Sequence, residues 1–449
     1  MKPCWVSCKA KAIVLIAVVV ALWLPVSAGG PGESGYAVKE IFVPQTSDLS
    51  RPNHPFGASG AFDLSPDGKT LAVEFGTREP DKRITDWVAL WDVESQRLVA
   101  TKEVEHDEPK QTLSFSFSRD APKTKLPFPV PIFWQSKNIR FSPDGRRLLV
   151  LTGPSLVALS FPELKVLYTV EDRVTEENVF TQMFIEGFAM AANRLAILEQ
   201  ISHNSDQCCA LKVILTDLDA GKVLGQWSRP GDMSQSIALS PDGKLLALTI
   251  NPGWDGPKKI AAGKNNIFIV KPETGETVRA INSGYAAGNA QFIGGGSRLV
   301  TVATNNMMET WDAVQVWDVD SGKLEQKFGY AKYGLRGGVA TSSDGKLLAM
   351  AAFWLNPTDV KLDRNNPRGG ARLLLWALPD GKLVYESEKL DQKYDMGGLP
   401  INMSWGFLSP PILVRMSAAG DRLAFGGRQI SVNAVTQQHG YTAGNGSVR

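Results

Sequence analysis

The sequence predicts an all-β fold built by repeating one four-stranded antiparallel unit. Three observations predict it. A polar turn recurs between short apolar runs, a second tight turn follows most copies, and the copies in the middle of the chain lie about 50 residues apart. The clearest copies of the first turn are Ser65-Pro66-Asp67-Gly68-Lys69, Ser142-Pro143-Asp144-Gly145-Arg146 and Ser240-Pro241-Asp242-Gly243-Lys244. Ser342-Ser343-Asp344-Gly345-Lys346 is close to them, and weaker copies stand at 191–194, 294–297 and 418–421. Proline presets φ at the first corner, Asp bonds nearby backbone, and Gly accepts a positive φ, so each copy reads as a hairpin turn.

The strands on either side are apolar and short. Phe62-Asp63-Leu64 leads into the first turn and Leu71-Ala72-Val73 leaves it. A second hairpin then runs from Val88 to Val93, turns through Glu94-Ser95-Gln96 and returns along Arg97-Leu98-Val99. The same sequence of events follows at 211–224, 267–278, 314–324 and 373–384. Each unit is therefore four strands, a to d, with tight turns at a–b and c–d. Units of this length that bury both faces against neighbours form the blades of a β-propeller. Seven turn copies predict seven blades. The seventh unit supplies only three apolar runs (412–416, 423–426 and 430–435), so a strand at 36–43, ahead of the first blade, is expected to complete it and close the ring.

Here the chain resembles the WD-repeat and YVTN-type propellers. Trp91-Asp92 and Trp317-Asp318 stand where WD-repeat blades carry their Trp-Asp pair, and the Ser-Pro-Asp-Gly turns match both groups. The resemblance covers nearly all of the chain after the first 28 residues. The Gly-His pair of eukaryotic WD repeats is missing, so the regulatory roles of that family are not implied.

Composition is that of a folded protein, with 43% apolar and 21% charged residues. Residues 1–28 read as an export signal. Lys2, Lys9 and Lys11 precede an uncharged run from Ala12 to Leu24, Pro25 breaks it, and Val26-Ser27-Ala28 offers a cleavage site. The run is shorter than the ~20 residues of a membrane-spanning helix. The expected mature chain is thus a single propeller domain at 29–449, secreted or periplasmic, without a stable membrane span. Without those three lysines the 48 basic residues fall to 45 against 46 acidic, a net of −1, which gives no bulk attraction for nucleic acid. Cys4 and Cys8 leave with the signal. Cys208 and Cys209 remain, adjacent, and a disulfide between them is the expected form in an exported loop.

Insertions fall unevenly. The b–c connections are long at 76–86, 202–210, 251–265, 304–313 and 356–371, and the d–a connections at 101–137 and 387–411 are longer still. In a propeller both kinds emerge on one face, and one-sided elaboration marks the binding face of a repeat protein. These stretches carry Trp254, Asp255, Glu309, Trp311, Asp312 and Trp405, with Arg364, Arg368, Lys258 and Lys259 nearby and Trp354 beside them. Indoles next to carboxylates suit a glycan or a cationic peptide. The same tryptophans would also serve as anchors for long loops.

Catalytic patterns are sparse. His54, His106, His203 and His439 form no His-x-His or His-Glu-x-x-His pair, so no metal site is expected. There is no Gly-x-Ser-x-Gly elbow and no phosphate-binding glycine loop. The expected function is an interaction module that holds a protein, peptide or glycan on its loop-rich face, with no catalytic residue and no cofactor. The resemblance also implies an alternative, an enzyme with its site at the channel mouth, either a lactonase-like hydrolase or a quinoprotein-type oxidoreductase subunit.

Overall fold

The computed structural model describes residues 56–78, 84–104, 138–152, 155–171, 181–203, 210–230, 233–251, 264–284, 286–304, 313–329, 334–355, 368–378, 380–387, 390–393 and 412–427, with short strands at 20–23, 41–42, 435–436 and 440–441. It is an all-β propeller of four-stranded antiparallel blades. In the first blade strand a is Phe56–Leu64, b is Thr70–Arg78, c is Ile84–Asp92 and d is Arg97–Val104. The inner strands a of the next five blades are Asn138–Phe141, Thr181–Ala191, Met233–Leu239, Ala286–Ile293 and Gly334–Thr341. Each blade pairs its strands in the order a-b-c-d, without crossovers.

The packing follows from the sequence of strands b and c. Runs such as Leu148-Leu149-Val150-Leu151 and Leu373-Leu374-Leu375-Trp376 are apolar on both faces, and these side chains are buried on both. Alternate residues of one strand therefore feed two different cores. Leu71 and Val73 pack toward the last hairpin with Ala424, whereas Ala72 packs toward the second blade with Ile139 and Leu148. A separate apolar cluster lies between each pair of successive blades from the second to the sixth. Full burial of one Leu or Ile contributes about 1.5–3 kcal/mol, so every blade is held by its neighbours.

The turns add a second, polar layer. The Ser65 hydroxyl donates to Asp67 Oδ1 (2.6 Å) and accepts the Thr70 N–H (2.9 Å), while Asp67 Oδ1 also accepts the Lys69 N–H (3.0 Å). Ser142/Asp144, Ser240/Asp242 and Ser342/Asp344 repeat the arrangement. It holds the carboxyls below their ordinary value. At Asp242 and Asp344 the serine hydroxyl is the main cause, followed by the lysine N–H two residues on. At Asp67 and Asp144 partial burial opposes the shift and the same two bonds override it, bringing Asp144 to about 2. A depressed folded-state value means stability that is present above 3.8 and lost as pH falls toward 2. Thermal melts across that range should show the loss, and Asp144→Asn should make the profile shallower.

Successive blades are also joined through the start of strand d. The Tyr168 hydroxyl donates to the Leu218 carbonyl of the next blade (2.9 Å), and the Trp227 indole N–H to the Pro272 carbonyl (2.9 Å). Arg279 reaches the Asp320 carbonyl in the same way.

The structure corrects the expected count. Among the described residues six blades are built from four strands each in sequence, not seven. The seventh turn copy forms a two-stranded hairpin, Ile412–Met416 and Arg422–Gly427, that lies between the sixth blade and the first. Its turn donates the Ala418 N–H to the Pro66 carbonyl (2.8 Å) and accepts the Ser343 N–H at the Ala418 carbonyl (2.9 Å). Of the expected third run at 430–435, residues 430–434 lie outside the described residues. Val435–Thr436 is described as a strand and pairs with Gly440–Tyr441.

The expected closure by 36–43 is not shown either. Val20–Trp23 pairs with Arg422–Phe425, and Ile41–Phe42 pairs with Val20–Trp23 one position farther out. Val20-Ala21-Leu22-Trp23 is identical to Val88-Ala89-Leu90-Trp91 of the first blade's strand c, so this run fits a strand c position. Strands also reach into stretches read as connections. Residues 76–78, 84–86 and 101–104 belong to strands, as do Trp354 and Arg368. Leu390–Lys393 pairs with Arg368–Ala371 and continues the sixth blade's strand d.

Candidate functional site

The two faces of the propeller are fixed by hydrogen bonds between turns. Just after strand c, the Val93 N–H donates to the Lys69 carbonyl of its own a–b turn (2.8 Å). Phe161 to Arg146 (2.9 Å), Leu218 to Asn193 (3.0 Å), Val319 to Ser297 (2.9 Å) and Leu378 to Lys346 (2.7 Å) repeat the bond in four more blades. The a–b and c–d turns thus share one face. Antiparallel pairing sends the ends of b and d to the other, where the connections 105–137, 204–209, 252–263, 305–312, 356–367 and 394–411 leave. On the turn face, a–b and c–d connections stay short in every blade.

The residues named from the sequence, Trp254, Asp255, Glu309, Trp311, Asp312, Arg364, Trp405, Cys208 and Cys209, lie outside the described residues. The described residues nearest to them in the chain are the strand ends that flank each connection. At the foot of connection 252–263, buried Asn266 clamps Ser283: its Nδ2 donates to the serine hydroxyl (2.9 Å) and its Oδ1 accepts the Ser283 N–H (3.0 Å). Gln315, at the foot of 305–312, donates from Nε2 to the Ser283 carbonyl (3.0 Å). This network ties the fourth blade to the fifth near the strand ends that flank two of the long connections. Close by, the Trp317 indole donates to the Thr301 hydroxyl (2.9 Å), and Trp91 is fully buried. Both tryptophans of the Trp-Asp pairs therefore hold their blades together.

Three charged residues on inner strands escape a reading by turns and insertions. Asp63, Arg140 and Arg415 belong to the first blade, the second blade and the last hairpin. Arg415 Nε lies 3.1 Å from Asp63 Oδ1, and Asp63 Oδ2 accepts the Phe141 N–H (2.7 Å) of the neighbouring inner strand. Burial pushes the Asp63 carboxyl above its ordinary value, with Arg140 and Arg415 opposing. Burial also pulls the Arg415 guanidinium down to about 9; Arg140 adds to that and Asp63 resists it. Aligning the residues ahead of each turn would have exposed this cluster, because the matching positions elsewhere are uncharged.

Among the described residues no group of three or more His, Cys, Asp or Glu could hold a metal ion, and no helix is long and apolar enough to cross a membrane. No family model matches the chain, and no curated protein does. Among solved structures it is similar to the β-propeller domain of Cps50 (Swd1) from Myceliophteria thermophila, at 14% identity and a TM-score of 0.46, covering 84% of this chain and 97% of that one. It is also similar to Kuenenia stuttgartiensis hydrazine synthase, at 12% identity and a TM-score of 0.40, covering 67% of this chain and 94% of that one.

Proposed function

We propose that this protein is an exported interaction module that holds a protein, peptide or glycan on the face where its long connections emerge. The supporting observation is the separation of connection lengths. Turns stay short on one face in every blade, and every long connection leaves from the other. Extra chain on one face only is what a repeat scaffold acquires when that face meets a partner. The indole and carboxylate residues of 252–263 and 305–312 supply contacts of the right chemistry, and the strand ends that flank these segments are stiffened by Asn266, Ser283 and Gln315. Excising 252–263 and 356–367 is the test: partner capture is expected to be lost while stability is kept, because the apolar clusters between blades are built from residues outside these segments.

Export follows in this reading from residues 1–28. Their removal would also take Val20–Trp23 away from Arg422–Gly427, and the segment 36–43 would then pair with Arg422–Gly427 in its place. Hydrogen exchange on the chain lacking 1–28 checks this, with protection of 36–43 as the expected result and free exchange there as the contrary one.

A further inference from the structure

Each inner strand ends at its turn, and the residue before the last occupies an equivalent place in every one. In chain order these residues are Asp63, Arg140, Met190, Ala238, Phe292, Ala340 and Arg415. Four carry no charge. The three that do lie on adjacent strands, because the last hairpin sits beside the first blade. At this level one sector of the inner wall therefore holds two guanidinium groups and one carboxylate, and the matching positions of the other inner strands are uncharged.

The carboxylate is already committed. Asp63 Oδ1 faces Arg415 and Oδ2 accepts the Phe141 N–H. Arg415 donates from Nη1 to the Val414 carbonyl (3.0 Å), but its Nε lies off the hydrogen-bond axis to Asp63 and has no hydrogen-bond partner, although the side chain is only 8% exposed. Arg140 is half-buried, and among the described residues its side chain makes no hydrogen bond or ion pair. Its charge nevertheless acts on both members of the pair. Buried charges are ordinarily paired, and a guanidinium offers five donors. Two cations sharing one committed anion leave a net positive charge and open donors in a low-dielectric wall.

We propose that this sector binds one oxyanion group, a phosphate or a carboxylate, between Arg140 and Arg415. The planar fork of donors on each arginine matches the paired oxygens of either group, and a charge-assisted bond is about twice as strong as a neutral one. The added negative charge would balance the sector. The site sits toward the turn face, at the opposite end of the strands from the long connections, so it stands or falls separately from the partner-binding reading.

Titration calorimetry of the full chain tests the proposal, using inorganic phosphate and, separately, succinate at neutral pH and constant ionic strength. Saturable binding of at least one, at one per chain, is expected. Arg140→Gln should weaken it by about tenfold or more with little change in urea midpoint, since the Arg140 side chain bonds to no described residue and its attraction to Asp63 and repulsion of Arg415 offset each other, and Arg140→Lys should fall between. Phosphate binding alone identifies a phosphoryl ligand and succinate binding alone a carboxylate ligand. Absence of saturable binding by either anion, or binding that Arg140→Gln leaves intact, overturns the site.

Discussion

Asp63→Asn is expected to destabilise the protein by about 3–5 kcal/mol, the range for removing one member of a buried ion pair. The asparagine keeps the shape, and its side-chain oxygen still accepts the Phe141 N–H, so the change isolates the charge. What it leaves is the Arg415 guanidinium, buried and without its carboxylate, with Arg140 close enough to raise the cost. Adding Arg415→Met should restore most of the loss, because an apolar side chain of similar length can replace the charge in the same space. Urea unfolding of the two single variants and the double variant gives the coupling directly. A loss below about 1 kcal/mol for Asp63→Asn would place the pair with exposed ion pairs and contradict its role as the tie between the last hairpin and the first blade.

Gly275→Ala should cost about 2–5 kcal/mol, from two sources that add. Gly275 has φ of +71°, and an L-residue in that region loses about 1–2 kcal/mol. A Cβ there would also stand 2.5 Å from Trp227 Cδ2, on an indole that is fixed by its bond to the Pro272 carbonyl. Forcing such a ring aside costs about 1–3 kcal/mol. Gly295 supplies the control. Its φ of +68° is nearly the same, yet nothing lies within 4 Å of its Cβ position, so Gly295→Ala should show the backbone part alone. Equal losses in the two variants would mean that the strand d contact between the third and fourth blades contributes nothing.

Much of this architecture was legible because it depends on local rules. Proline, aspartate and glycine each constrain one position of the a–b turn, and the bonds from Ser65 and Asp67 are those their spacing implies. Strands b and c were legible as runs apolar on both faces, which only burial between two blades accommodates. The ring's completion was less so. Val20-Ala21-Leu22-Trp23 suits an export signal and a strand c equally well, since both need continuous apolar residues. Strand ends were misplaced because Gly76, Asp86 and Arg368 resemble loop residues while their backbones are paired. The Asp63–Arg140–Arg415 cluster joins residues from both ends of the chain, and no window along the sequence contains them. For the binding face, connection lengths were readable, whereas the placement of Trp254 or Trp311 lies outside the described residues.

The proposed function is tested most directly by altering one face at a time and measuring capture of a partner from the native envelope or medium. One variant lacks 252–263 and 356–367, and the other carries Val223→Glu and Leu324→Glu at exposed positions that follow the c–d turns. The first should lose the partner at an unchanged melting temperature, and the second should retain it. Capture that survives the excision but vanishes with the two glutamates would put the interaction on the turn face and refute the account.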